Sequence, residues 1–92
     1  MALWALTRTA AVEYGTRGIR VNAVSPSYTR TEMVERLLAK KPELEATLSK
    51  ASPMRRMGEP QEVAQTIVWL CSERSLFING QAIAIDGGIT AW

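Results

Sequence analysis

Ninety-two residues with 47% apolar content make one domain at most, with enough hydrophobic material to be ordered but only a modest core. Eleven basic and nine acidic residues give a net charge of +2. The only adjacent basic pairs, Lys40-Lys41 and Arg55-Arg56, are too few for a nucleic-acid stripe. A single cysteine and no histidine exclude an internal disulfide, argue against structural zinc, and remove the commonest general base and the commonest metal ligand, so no metal-binding residue is expected.

No apolar run approaches the ~20 residues of a membrane span, and no basic region precedes a hydrophobic one at the N-terminus. The expectation is a cytoplasmic chain that meets neither membrane nor nucleic acid. Helical spacing of Leu3, Leu6, Ala10 and Tyr14, widened by Trp4 and Ala11, predicts a first helix over Ala2–Tyr14. Gly15 is expected to stop it in the left-handed conformation, and Gly18 to free the next turn.

Residues 19–25 then read as a strand, with Ile19, Val21, Ala23 and Val24 supplying its apolar and β-branched content, halted by Pro26. A polar loop, Pro26-Ser27-Tyr28-Thr29-Arg30-Thr31, opens a helix over residues 32–39. Thr29 and Glu32 have capping-box spacing, and Thr31 is an equally good cap. Pro42 suits the first turn of a short helix through Leu48. Ser52-Pro53 and Gly58-Glu59-Pro60 punctuate a loop. Pro60 starts a helix through Ser72 whose inward face is Val63, Ala64, Ile67, Leu70 and Cys71, with Cys71 a small buried hydrophobe rather than a nucleophile. After Asn79-Gly80, residues 81–85 form a second strand, ended by Asp86-Gly87-Gly88.

Strand, helical crossover and strand make a βαβ unit, hence a parallel pair. Parallel sheets are normally buried on both faces and built from more than two strands. The predicted class is therefore α/β, one piece of a larger doubly wound parallel sheet, with residues 1–92 inside a single domain. In such sheets ligands collect outside the carboxyl ends of the strands, which directs attention to the loop after Ser25.

Several stretches carry a family signal: Leu6-Thr7-Arg8-Thr9-Ala10-Ala11-Val12-Glu13-Tyr14-Gly15, Gly18-Ile19-Arg20-Val21-Asn22-Ala23-Val24-Ser25-Pro26, Arg56-Met57-Gly58-Glu59-Pro60-Gln61-Glu62-Val63-Ala64, Phe77-Ile78-Asn79-Gly80-Gln81 and Asp86-Gly87-Gly88. In this order and spacing the chain resembles the C-terminal third of a short-chain dehydrogenase/reductase. The resemblance implies a Rossmann-type fold, with residues 19–25 and 81–86 as adjacent parallel strands. It implies that the first helix lies at a subunit interface, that residues 31–48 form a substrate lid, and that Trp92 sits near a subunit contact. It also implies NAD or NADP as cofactor, an alcohol or ketone substrate, and a homo-oligomer or association with another chain of the same family.

The family's glycine-rich phosphate loop and its serine, tyrosine and lysine catalytic residues have no counterpart here. Tyr14 and Tyr28 stand in the wrong places to substitute, so no catalytic residue is assigned. What remains of the family's site is a Pro-Gly-x-(Ile/Val)-x-Thr segment at the nicotinamide carboxamide. Pro26 and Thr31 match it; Ser27 replaces the glycine and Thr29 the aliphatic residue. Pro26, Ser27, Thr29 and Thr31 are the cofactor-binding candidates, with a cost of ~1 kcal/mol at Ser27 if its φ is positive. Asn79, where the family more often has threonine, and Asp86-Gly87-Gly88 are expected to be structural. Two further readings stand beside the oxidoreductase: a non-catalytic interaction module that docks through the first helix and an open strand edge, and a degenerate product that folds poorly.

Overall fold

In chain order, the computed structural model contains α1 (Ala2–Tyr14), a 3-10 turn (Gly15–Arg17), β1 (Ala23–Pro26), α2 (Glu32–Lys40) and α3 (Leu44–Lys50). It continues with α4 (Pro60–Leu70), a second 3-10 turn (Glu73–Ser75), β2 (Ala82–Ile85) and a last 3-10 turn (Ile89–Ala91). Residues 2–91 are described; Trp92, expected near a subunit contact, lies outside them. The chain divides into two compact units, Met1–Ser25 with Gln65–Ile83 and Pro26–Ala64 with Ala84–Trp92. The division falls inside β1, α4 and β2.

In the first unit the Ala23 N–H donates to the Gln81 carbonyl at 2.8 Å, and in the second the Ser27 N–H donates to Ile85 at 3.2 Å. Donor and acceptor advance together along the chain, which is the signature of a parallel pair. With helices between the strands, this is the expected α/β class.

The first unit shows why β1 begins four residues later than expected. Ahead of it the Val21 carbonyl still accepts from the Gly80 N–H at 2.8 Å, but the other bonds are to side chains. Asn79 Oδ1 accepts from the Val21 N–H at 2.9 Å and Asn79 Nδ2 donates to the Ala11 carbonyl at 3.2 Å. Asn22 Oδ1 accepts from the Gln81 N–H at 3.0 Å, and its amide donates to the Ile78 carbonyl at 3.0 Å. Asn79 is thus structural, satisfying backbone groups that the short sheet leaves over. Arg20 closes the other side: its guanidinium donates to the carbonyls of Leu70 at 2.7 Å, Ser72 at 3.3 Å and Ile78 at 3.3 Å. It thereby caps the C-terminal end of α4 with a cation, as the orphan carbonyls and the helix dipole favour. The loss of free carbonyls to Arg20 and to the Ser75 hydroxyl, which reaches Leu70 at 2.9 Å, also ends α4 at Leu70 rather than at Ser72.

Three expectations are corrected here. Gly15 does not stop α1 in the left-handed region; it begins the 3-10 turn, and Gly18, at φ 74°, takes that conformation and donates its N–H to Gly15 at 3.1 Å. A 3-10 turn lets the chain tighten before it reverses, and this moves the left-handed residue three positions on. Cys71 is exposed, not buried. The expected inward face of α4 is largely open as well, since only Leu70 is buried and Ile67 is 43% exposed. Likewise α1 buries Thr7 and Ala11 while Leu3 and Leu6, 64% and 67% exposed, stand in solvent. A sheet of two strands offers too little surface to cover these helices, so stripes with helical periodicity remain uncovered.

In the second unit α2 buries Leu38. Thr31 is the cap of α2, accepting from the Val34 N–H at 3.3 Å, while Thr29 takes no part in the cap. The first of the two caps allowed by the spacing is thus excluded. Pro42 lies ahead of α3 rather than within it: its carbonyl accepts from the Glu45 N–H at 3.1 Å in the turn that leads into the helix.

Candidate functional site

All residues of the candidate site belong to the second unit. Pro26 ends β1 and is exposed; Ser27 is half-buried and bonded to β2 through its N–H. The non-glycine residue with positive φ among those described is Arg55, so Ser27 adopts an ordinary backbone conformation. Its replacement of glycine carries none of the steric cost anticipated for it.

Thr29 is buried, with 9% exposure, and its hydroxyl donates to the Ser27 carbonyl at 2.9 Å. The loop is then clamped from the side. The Gly58 N–H donates to the Tyr28 carbonyl and the Arg30 N–H to the Gly58 carbonyl, both at 2.9 Å, which makes a parallel bridge between Thr29 and Gly58. A polar loop at a strand end is usually free to move; this one has its backbone groups paired on both sides of Thr29. Thr31 is exposed, and its oxygen is occupied by the α2 cap.

A cleft of about 440 Å³ opens beside this loop. Of the four sequence candidates only Thr29 lines it; Pro26, Ser27 and Thr31 do not. Its walls come instead from Tyr28, the segment holding Ser52 and Met54, the start of α4 at Val63, and the turn after β2. That turn is built by Asp86, whose carboxylate accepts from the Gly88 N–H at 2.9 Å and from the Thr90 hydroxyl at 2.8 Å. These bonds favour the ionised form, the Gly88 N–H most, and hold the Asp86 carboxyl below its ordinary range. Gly87 (φ 63°) holds a backbone conformation that favours glycine, and a Cβ there would also crowd the Ser52 hydroxyl at 3.0 Å.

At the rim, Arg56 grips Glu62 with both arms, at 2.7 Å and 2.9 Å. The Arg56 hydrogen bonds, followed by the Glu59 N–H, pull the Glu62 carboxyl down to about 2. A second cation, Arg30, reaches Glu35, Glu45 and Glu59. Sequence reading missed both groupings. For Arg56 and Glu62 a signal existed, since both fall within one family-like stretch. Arg30 and its partners, spread over 29 residues, share no periodicity that would bring them together. Among the described residues no three Cys, Asp or Glu side chains are grouped to hold a metal ion, and no helix is long and apolar enough to cross a membrane.

The geometry defines a parallel α/β unit with its polar loop and cleft at the carboxyl ends of two adjacent strands, as in dinucleotide-binding folds. Comparison with known proteins agrees. Residues 1–90 match the family described as Enoyl-(Acyl carrier protein) reductase. A short chain dehydrogenase family protein from Francisella tularensis superposes with a TM-score of 0.91 at 32% identity, covering 99% of this chain and 41% of that one. The chain belongs to the short-chain dehydrogenase/reductase family and has its Rossmann-type fold.

The A-factor type gamma-butyrolactone 1'-reductase (1S-forming) of Streptomyces virginiae is 48% identical over 89 residues, 97% of this chain and 35% of that protein. ElxO with NADP bound superposes with a TM-score of 0.93 at 35% identity, over 99% of this chain and 37% of that one. The chain therefore spans about a third of the length of the curated relatives it resembles.

Proposed function

We propose that this chain is the C-terminal third of an NAD- or NADP-dependent oxidoreductase acting on an alcohol or ketone in the cytoplasm, and that it supplies the nicotinamide-side loop, the substrate lid and oligomer contacts. The observation that carries the reading is the clamped loop of residues 26–31 at the carboxyl end of β1, in a chain whose relatives include named reductases and dehydrogenases. The placement within the domain rests on the same loop. An N-terminal placement requires a glycine-rich phosphate loop after the first strand, and residues 26–31 contain no glycine.

Pro26, Ser27, Thr29 and Thr31 are then the cofactor contacts. The residues fit a carboxamide. Thr31 Oγ1 accepts from the Val34 N–H, which leaves its own proton to donate to a carbonyl oxygen. Thr29 Oγ1 donates to Ser27, which leaves lone pairs for an N–H. Pro26 fixes φ at the point where the strand ends and sets the direction of the loop. The cofactor, when bound, carries the hydride. The residues that move protons belong to the portion of the domain outside this chain. Residues 31–48 form the lid, and the uncovered apolar face of α1 meets a second copy or another chain of the family.

The test combines peptide mapping of the protein as its host makes it with fluorescence titration by NADH and NADPH. A tyrosine four residues ahead of a lysine, the lysine directly before Met1, together with micromolar binding of either cofactor, is the expected result. An upstream segment without that pair overturns the reading. A product that begins at Met1, binds neither cofactor and copurifies with an intact family member favours the interaction module instead.

A further inference from the structure

Arg30 lies between the two threonines of the loop, where nothing in the preceding argument needs a cation. Its backbone N–H is fixed by the Gly58 carbonyl at 2.9 Å. Its guanidinium meets carboxylates from three different segments: Glu35 of α2 at 3.2 Å, Glu45 of α3, and Glu59, just ahead of α4, at 4.0 Å. The Arg30 side chain is 27% exposed, against 50–55% for its partners.

We propose that Arg30 is a positioning residue: an electrostatic latch that holds both lid helices against the loop proposed to bind the nicotinamide. A single exposed ion pair stabilises little. Three acidic partners sharing one guanidinium differ in kind, because removing the cation loses the attractions and leaves three carboxylates facing one another. Arginine suits the place because its planar fork can serve several acceptors at once, whereas a lysine ammonium acts as a point charge. Among the described residues Arg36 pairs with Glu32 at 3.5 Å and Arg56 with Glu62. Arg56 also acts through its charge on Glu59, so Arg30 is the cation that the carboxylates of both lid helices, Glu35 and Glu45, share. The Glu59 N–H donates to Glu62 at 2.9 Å, so the latch also abuts the Arg56 pair.

The consequence is that the lid and the proposed cofactor loop are not independent. A ligand that orders residues 29–31 orders the Arg30 backbone, and through its side chain α2 and α3. The inference rests on the proposed function for its ligand, but the latch itself is measurable without one.

The test uses the protein at the length its host produces. Hydrogen exchange of peptides covering α2 and α3 is followed in the unsubstituted protein and in Arg30→Gln and Arg30→Lys variants, at 0.05 M and 0.5 M NaCl. NADH and NADPH affinities are measured in the same samples. We expect Arg30→Gln to speed exchange in both helices three- to tenfold at low salt and to weaken cofactor binding by a similar factor, with Arg30→Lys in between. High salt, which shortens the Debye length from over 10 Å to about 4 Å, should speed exchange in the unsubstituted protein and, by screening the three carboxylates from one another, slow it in Arg30→Gln, so that the two converge. A role in general stability would not give this salt pattern.

Equal exchange rates in Arg30→Gln overturn the latch, and faster exchange with unchanged cofactor affinity overturns the coupling. If Arg30→Gln does not fold, the salt response of the unsubstituted protein decides alone, and exchange unaffected by salt overturns the proposal. Salt-sensitive exchange in a protein that binds neither cofactor leaves the latch standing and removes the oxidoreductase reading.

Discussion

The two units of this chain solve the same problem with different chemistry. Both must satisfy backbone groups that a pair of four-residue strands leaves over. The unit that holds the strand beginnings does so with side-chain amides and one cation: Asn22 and Asn79 each accept from a backbone amide and donate to a carbonyl, and Arg20 donates to the carbonyls of Leu70, Ser72 and Ile78. The unit that holds the strand ends uses carboxylates: Asp86 accepts from the Gly88 N–H and Glu62 from the Glu59 N–H. Ion pairs stand beside them, with Arg30 among three carboxylates and Arg56 on Glu62. Hydrogen bonds to carbonyls respond little to salt or pH, whereas exposed ion pairs respond to both. The two halves of the chain therefore differ in which side chains finish the backbone.

The contrast breaks most visibly at Arg20. Arg20→Ala removes the charged donor from the carbonyls of Leu70, Ser72 and Ile78 and leaves them the Ser75 hydroxyl and the Asn22 amide. Losing charge-assisted hydrogen bonds of this kind costs about 2–3 kcal/mol. Urea unfolding should report that loss equally at low and high salt; a loss that salt erases would mean Arg20 acts by charge, as Arg30 does. Asn79→Ala should cost about 1–2 kcal/mol, because the Val21 N–H and the Ala11 carbonyl both lose their partner. The cost should be flat between pH 5 and 8.

The smallest effect belongs to the other unit. The Glu62 carboxyl is held at about 2 against an ordinary 4.5, by Arg56 first and the Glu59 N–H second. A lowered carboxylate stabilises the fold above its unfolded value, and that contribution fades as pH falls from about 4.5 through about 2. The urea midpoint should decline across this window and decline less in Glu62→Gln. An identical decline in the variant would assign the acid response to other carboxylates, with Asp86 the next to test.

How much of this was legible in the sequence depends on range. Helix periodicity and caps are local. The bounds of α1 follow from Leu3, Leu6, Ala10 and Tyr14, and α2 starts at one of the two caps that the spacing allows, Thr31. The α/β class followed from element order, and the family from short motifs distributed along the chain. Burial was not legible in the same way. Periodicity tells which side chains share a face but not whether anything covers it, so Cys71 and Ile67 were expected inside and stand in solvent. Gly18 took the role expected of Gly15 because a 3-10 turn intervenes, a choice that depends on where the chain must go next. The Arg30 grouping was invisible because it joins three segments that meet only in the folded unit.

The side-chain amides ahead of the strands have one more consequence, and it concerns time. Val21 and Asn79, bonded to each other, lie 58 residues apart, so the segments that begin the sheet meet only after a long loop closes, which is slow compared with forming α2, α3 or α4 from neighbours. When they meet, a one-residue slip would bring Ile78 or Gly80 to the place of Asn79 and would turn the slipped strand's faces over. Asn22 and Asn79 thus act as a key that a misaligned encounter cannot turn.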